Sequence, residues 1–134
     1  MNKTYSHLVE VDVDVTVLAD VLAESFDEAC ERAKQRATAS LQVNETKLCR
    51  LISKTPSRYE SDVKVLRDWE EYMIQYPVSV KMAALVYGVD EDRACSRAEE
   101  MVRQAIEVVY PCTLAELAIN SFTCHYLNEL AVVA

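Results

Sequence analysis

The chain has 134 residues, 51% of them hydrophobic and 27% charged, with a net charge of −8 at pH 7. That composition is globular, not disordered, and the length lets a folded chain bury roughly two-thirds of its unfolded surface. The acidity argues against direct binding to a phosphate backbone, which needs Lys and Arg to displace counterions, and no run of about 18 apolar residues is present to cross a membrane as a helix.

Met1–His7 leads into alternation with acids, not into an apolar block, so no secretory signal is expected and a soluble, cytoplasmic protein is predicted. From Tyr5 to Val21 the pattern has a period of two. His7, Val9, Val11, Val13, Val15 and Val17 share one face, and Leu8, Glu10, Asp12, Asp14, Thr16 and Asp20 fall mostly on the other. That is a long strand with one face in a core and one in water, with a bend or bulge expected near Leu18–Asp20.

Ser25-Phe26-Asp27-Glu28 reads as a capping box opening a helix to about Leu41, with Phe26, Ala29, Cys30, Ala33 and Ala37 as its buried stripe. A shorter strand is predicted over Lys47–Lys54, ended by Pro56. Ser57-Arg58-Tyr59-Glu60 offers a second capping box, and Val63, Leu66, Trp69 (or Glu70), Met73 and Tyr76 continue at helical spacing until Pro77. Trp69, Tyr72, Met73 and Tyr76 are better read as core than as a contact patch.

A strand at Val78–Tyr87 follows, then Gly88, Asp90 as N-cap and a helix to about Val109 with Ala94, Ala98, Met101, Val102, Ala105 and Val109 inward. Thr113-Leu114-Ala115-Glu116 resembles a third capping box with a short helix. Phe122, Cys124 and Tyr126 then alternate with Ser121, Thr123 and His125 as a strand, which Leu127–Val133 extends or folds back upon.

The strand–helix text occurs twice, 65 positions apart. Val13/Val78, Val15/Val80, Ala19/Ala84, Val21/Val86, Asp27/Asp92, Ala29/Ala94, Cys30/Cys95, Arg32/Arg97 and Ala33/Ala98 are identical. Fixed-period self-similarity of this kind predicts a duplicated unit. The fold expected is α+β: duplicated strand–helix units forming a mainly antiparallel sheet, with helices packed on one face. One domain over 1–134 is expected, its halves spanning about 5–65 and 77–134.

The chain has a single glycine, which excludes the glycine-rich loops that cradle phosphates. Cys30, Cys49, Cys95, Cys112 and Cys124 are odd in number and scattered, so reduced thiols are expected in place of a disulfide framework. No clustered zinc spacing occurs, and Cys112, Cys124, His125 and His7 make a poor ligand set, so neither metal nor cofactor is expected. Cys30 and Cys95 stand near helix N-termini but read as small core residues repeated with their unit. The basic residues Lys34, Arg36, Lys47, Arg50, Lys54 and Arg58 read as compensating charge.

The sharpest polar constellation is Glu10, Asp12 and Asp14. Alternate residues on a strand face lie about 6.6 Å apart, too far for three neighbours to chelate one ion unaided. That spacing is closer to the repeat of phosphates along a nucleic-acid strand. With Asp20 and the run Asp90, Glu91, Asp92, these residues form a candidate partner-binding surface imitating a polyanion. A plain solvated strand face is the competing reading.

Around Val13–Ala37, an alternating strand followed by Ala23-Glu24-Ser25-Phe26-Asp27-Glu28-Ala29 and an Ala-rich helix resembles small phage- and plasmid-encoded accessory proteins of the anti-CRISPR type. The resemblance implies a compact, non-enzymatic inhibitor of a host defence complex, acting in the host cytoplasm. It implies no catalytic residue. The partner expected is a basic protein or nucleoprotein. Two other readings stand beside it: a small enzyme or ligand-binding domain using His7, His125 or a cysteine in a cleft between the halves, and a module whose exposed strand edges pair in a homodimer.

Overall fold

The computed structural model describes residues 3–66 and 70–133. β1 (Lys3–Leu22) runs into α1 (Phe26–Ser40) and the short β2 (Leu41–Val43); β3 (Cys49–Pro56), β4 (Asp62–Val65) and β5 (Glu71–Val86) follow. The chain continues through α2 (Glu91–Ala105), the short β6 (Ile106–Val108) and β7 (Thr113–Val133). Every described pairing is antiparallel. The main sheet has the order β3-β5-β1-β7, with β4 taking up the flank of β5 beyond β3, and β2 pairs with β6 in a separate small sheet. The fold is α+β, with a mainly antiparallel sheet.

The core follows from the period of two. Val9, Val11, Val13, Val15, Val17, Ala19 and Val21 of β1 are buried together with Ile74, Tyr76, Val78, Val80, Met82, Ala84 and Val86 of β5. Fully burying each valine contributes about 1.5–3 kcal/mol relative to leaving it in water. Both helices cover this face through small residues: Ala29, Ala33, Ala37 and Ser40 from α1, and Ala94, Ala98, Val102 and Ala105 from α2. Such side chains let the helix axes lie close to the sheet. The opposite set, from Leu8 to Leu18 on β1, is only partly buried and has no helix over it.

The helix ends are fixed locally. Ser25 Oγ accepts from the Glu28 N–H at 3.2 Å and Asp90 Oδ1 from the Arg93 N–H at 2.8 Å. The Glu28 carboxylate reaches back to the Glu24 amide (3.2 Å), one residue before the cap. At the other end of α1, Lys54 Nζ donates to the carbonyls of Thr38 and Leu41 at 2.9 and 2.8 Å, so this lysine caps a helix C-terminus.

Several expectations are corrected. The helix expected from Ser57 to Tyr76 is strand, β4 and the first half of β5; Trp69, part of that reading, lies outside the described residues. Pro77 closes no helix. It stands within β5 opposite Thr16, where the outer neighbour changes from β3 (Pro56↔Val78) to β4 (Asp62↔Gln75), an interruption that tolerates a residue without an N–H. Thr113–Glu116 opens β7 instead of a helix, and α2 ends at Ala105, short of Val109. Phe26 is 48% exposed, outside the buried stripe. β1 pairs with β5 without interruption from His7 to Leu22, so no bulge occurs at Leu18–Asp20; the register shifts lie in its pairing with β7.

Candidate functional site

The uncovered face of the sheet carries the acidic row. Glu10, Asp12 and Asp14 project from the middle strand β1, and the flanking strands give each one polar partner. Ser79 Oγ of β5 donates to Asp14 Oδ1 at 3.1 Å, and Ser121 Oγ of β7 donates to Asp12 Oδ2 at 2.9 Å. His125 Nε2 of β7 lies 3.4 Å from Glu10 Oε2. Lys81 stands opposite Asp12 in the β1–β5 register. A cleft of about 340 Å³ opens over this region, lined by Asp12, Asp14, Ser53, Ser79, Lys81 and Ser121 among others.

The structure therefore brings three of the seven candidate residues together. Asp20 shares their face but lies about 20 Å further along β1 than Asp14, at the strand rise of about 3.3 Å per residue, opposite Met73. Asp90, Glu91 and Asp92 belong to the helix layer on the other side of the sheet, where Asp90 caps α2 and Glu91 and Asp92 occupy its first turn. These acids complement the N-terminal end of the helix dipole, and that local role accounts for them.

Ser53, Ser79, Lys81, Asn120 and Ser121 were not singled out from sequence, because their place beside Asp12 and Asp14 depends on strand register. One signal was present. The 65-residue offset that aligns Val13 with Val78 and Val15 with Val80 also aligns Asp14 with Ser79, and these two residues face each other in the β1–β5 pairing.

The two histidines do not converge, whereas the Cys95 and Cys124 thiols lie within hydrogen-bond reach of each other. His7 is buried on the helix side in a T-shaped arrangement with Tyr126, ring centroids 5.3 Å apart, whereas His125 lies on the open face. Burial, with Glu60 beside it, pushes the Cys30 thiol up to about 11, and burial with Cys95 beside it does the same to Cys124. Burial also raises Cys49 and Cys95. Thiols held protonated in this way are poor nucleophiles. A second cleft, about 640 Å³, is lined by Tyr5, Leu48, Leu85, Tyr87, Arg97 and Met101 among others, with no histidine or cysteine. Among the described residues, no three His, Cys, Asp or Glu side chains are placed to hold a metal ion. No helix among the described residues is long and apolar enough to cross a membrane.

No protein family, curated protein or solved structure matches the chain.

Proposed function

We propose that the protein is a small, non-enzymatic inhibitor or binding protein that engages a basic, nucleic-acid-binding partner through the open face of its sheet, in the manner of anti-CRISPR-type accessory proteins. The observation that carries this reading is the row Glu10, Asp12, Asp14 on a sheet face left uncovered by either helix. Each carboxylate has a neutral hydroxyl or an imidazole as its near partner and none is closed off by a lysine or arginine ion pair among the described residues. Guanidinium and ammonium groups of a partner can reach them, and complementary potentials would speed and orient that encounter. The reading places the protein in the cytoplasm, of the host cell for a phage-encoded chain. It also takes the chain as a duplicated unit, which the common offset of 65 between α1 and α2 supports.

A cleft enzyme built on His7, His125 or a thiol has less support, because His125 lies on the opposite face from His7 and the core-side thiols, and the raised thiols are held in their unreactive form.

The test is affinity capture from nuclease-treated lysate, with the native chain and the triple variant Glu10→Lys, Asp12→Lys, Asp14→Lys as baits, washed at low and high salt. Recovery of one basic nucleic-acid-binding complex, lost at high salt and lost with the variant, is the expected result. A complex retained equally by the triple variant rejects the acidic face as its binding surface. The variant is expected to melt within a few degrees of the native chain, since surface substitutions usually change stability by about 0.5 kcal/mol or less each.

A further inference from the structure

The two edges of the main sheet are built differently. The β3 edge is eight residues long, carries Arg50, Lys54 and Pro56, and has a register shift between Leu51 and Ser53. Short length, basic residues, proline and irregular register are the devices that keep a strand edge from pairing with another chain. The β7 edge shares the irregular register, with shifts against β1 at Ala115 and Asn120, but lacks the basic residues and the proline. From Thr113 to Leu127 it contains no lysine, arginine or proline, and Glu116 and His125 are its only acidic and basic side chains. Leu114, Phe122 and Tyr126 are 47%, 36% and 68% exposed along it. Among the described residues β7 has a single strand neighbour, β1.

We propose that β7 is the edge through which two copies of this chain pair, antiparallel, to make one sheet continuous across a two-fold axis. The register is what singles out a second copy as occupant. β7 holds one residue more than β1 at Asn120, since Ile119 faces Val13 and Ser121 faces Asp12, so side chains switch faces at that point. A two-fold centred between Asn120 and Ser121 keeps each flanking pair on its own face of the sheet. Ile119 of one copy meets Phe122 of the other, Leu117 meets Cys124, Ala118 meets Thr123, and Glu116 meets His125. The two charged-type residues of the edge thus become each other's partners, twice over. Opposite charges and apolar pairs facing across an antiparallel ladder are the units that stabilise one.

This pairing does not rest on the function proposed above, but it has a consequence for that surface. An axis perpendicular to the sheet puts both open faces on the same side. The two rows of Glu10, Asp12 and Asp14 then run about 14 Å apart, three strand spacings of about 4.8 Å.

The test is sedimentation of the native chain over a wide concentration range in reducing buffer, beside Phe122→Lys, Glu116→Lys, and Glu116→Lys combined with His125→Glu, with circular dichroism as a check on folding. The expected result is a concentration-dependent dimer, abolished by Phe122→Lys and weakened about tenfold by Glu116→Lys. The double variant should recover most of that loss, a result that general destabilisation could not produce. A monomer at every concentration overturns the proposal, as does a dimer indifferent to Phe122→Lys or one seen only without reductant. Failure of the double variant to recover affinity overturns the register and with it the choice of occupant.

Discussion

Asp14 lies directly opposite Ser79, the residue 65 positions further along the chain, and accepts a hydrogen bond from its hydroxyl at 3.1 Å. In the small sheet Gln42 lies opposite Glu107, again 65 positions on. In an antiparallel pair, a residue facing its own counterpart marks a local two-fold, and here both sheets have one. Contacts repeat accordingly. The Asn44 N–H donates to Ala105 O at 2.8 Å and the Val109 N–H to Ser40 O at 2.9 Å. Arg32 Nη1 donates to the Leu22 carbonyl as Arg97 Nη1 does to that of Tyr87. What departs from the two-fold is peripheral: β3 and β4 on one side against the continuous β7 on the other.

This relationship separates two kinds of residue at the centre of the sheet. Val15 and Val80 are 0% and 2% exposed, and truncating either to alanine leaves a void among valines that cannot collapse freely. Each substitution should cost about 2 kcal/mol. Ser79→Ala removes one exposed hydrogen bond and should cost less than about 1 kcal/mol. Denaturant melts of the three variants check the contrast, and equal losses would mean that Asp14–Ser79 is structural in a way its exposure does not suggest.

The alanine stripes make the helices intolerant of larger side chains. Ala33 and Ala98 are fully buried against the valine face. Leucine at either position must push a helix off the sheet, at about 1–3 kcal/mol or more. Ala39→Leu, at an exposed position on α1, keeps helix propensity nearly constant and is the control, expected within about 0.5 kcal/mol of native.

Much of this fold was legible where signals are local. The valine alternation of β1, the Ser25 and Asp90 caps and the alternation from Ser121 to Tyr126 each lie within a few residues of the element they define. What failed depended on neighbours far along the chain. Val63, Leu66, Met73 and Tyr76 have helical spacing, yet Tyr72, Ile74 and Tyr76 also alternate, and pairing with Val21, Ala19 and Val17 of β1 settles the matter for strand. Thr113–Glu116 has the letters of a cap, but Leu114 and Leu117 pair with Val17 and Val15. The candidate site was half legible: the carboxylates could be placed on one face, whereas the serines that hold them needed the register.

The thiols give the protein an alkaline limit. Cys30 and Cys124 are raised from the ordinary 9.0 to about 11, burial being the main cause. A raised folded-state value means that the stability these groups contribute is fully present below pH 9, where both states are protonated. It is lost as pH rises through 11, because the unfolded chain ionises first. Denaturation midpoints should therefore fall between about pH 9 and 11. Replacing both cysteines by alanine should flatten that decline, and at neutral pH thiol-reactive dyes should label both sites slowly until the chain unfolds.

Gly88 turns the chain from β5 into α2 by close approach, not by an unusual backbone angle. A Cβ built there would lie 2.7 Å from the Ala94 backbone nitrogen and 3.0 Å from the Asp90 carbonyl oxygen. Ser6 secures the same turn: its Oγ accepts from the Gly88 N–H at 3.0 Å and donates to the Gly88 carbonyl at 3.2 Å. The one hydroxyl proton is then committed, so His7 Nδ1, 2.7 Å from the same oxygen, is assigned as the donor. In its neutral form His7 should carry its proton on Nδ1, which nitrogen chemical shifts would read directly. Gly88→Ala should cost about 1–3 kcal/mol because backbone, not a flexible side chain, must give way. Ser6→Ala should cost a similar amount by leaving two buried donors without their acceptor. Ala23, 65 positions before Gly88, already carries a Cβ, and Ala23→Gly should cost only about 0.5–1 kcal/mol. Equal losses at 23 and 88 would show that backbone freedom, not crowding against α2, sets the requirement for glycine.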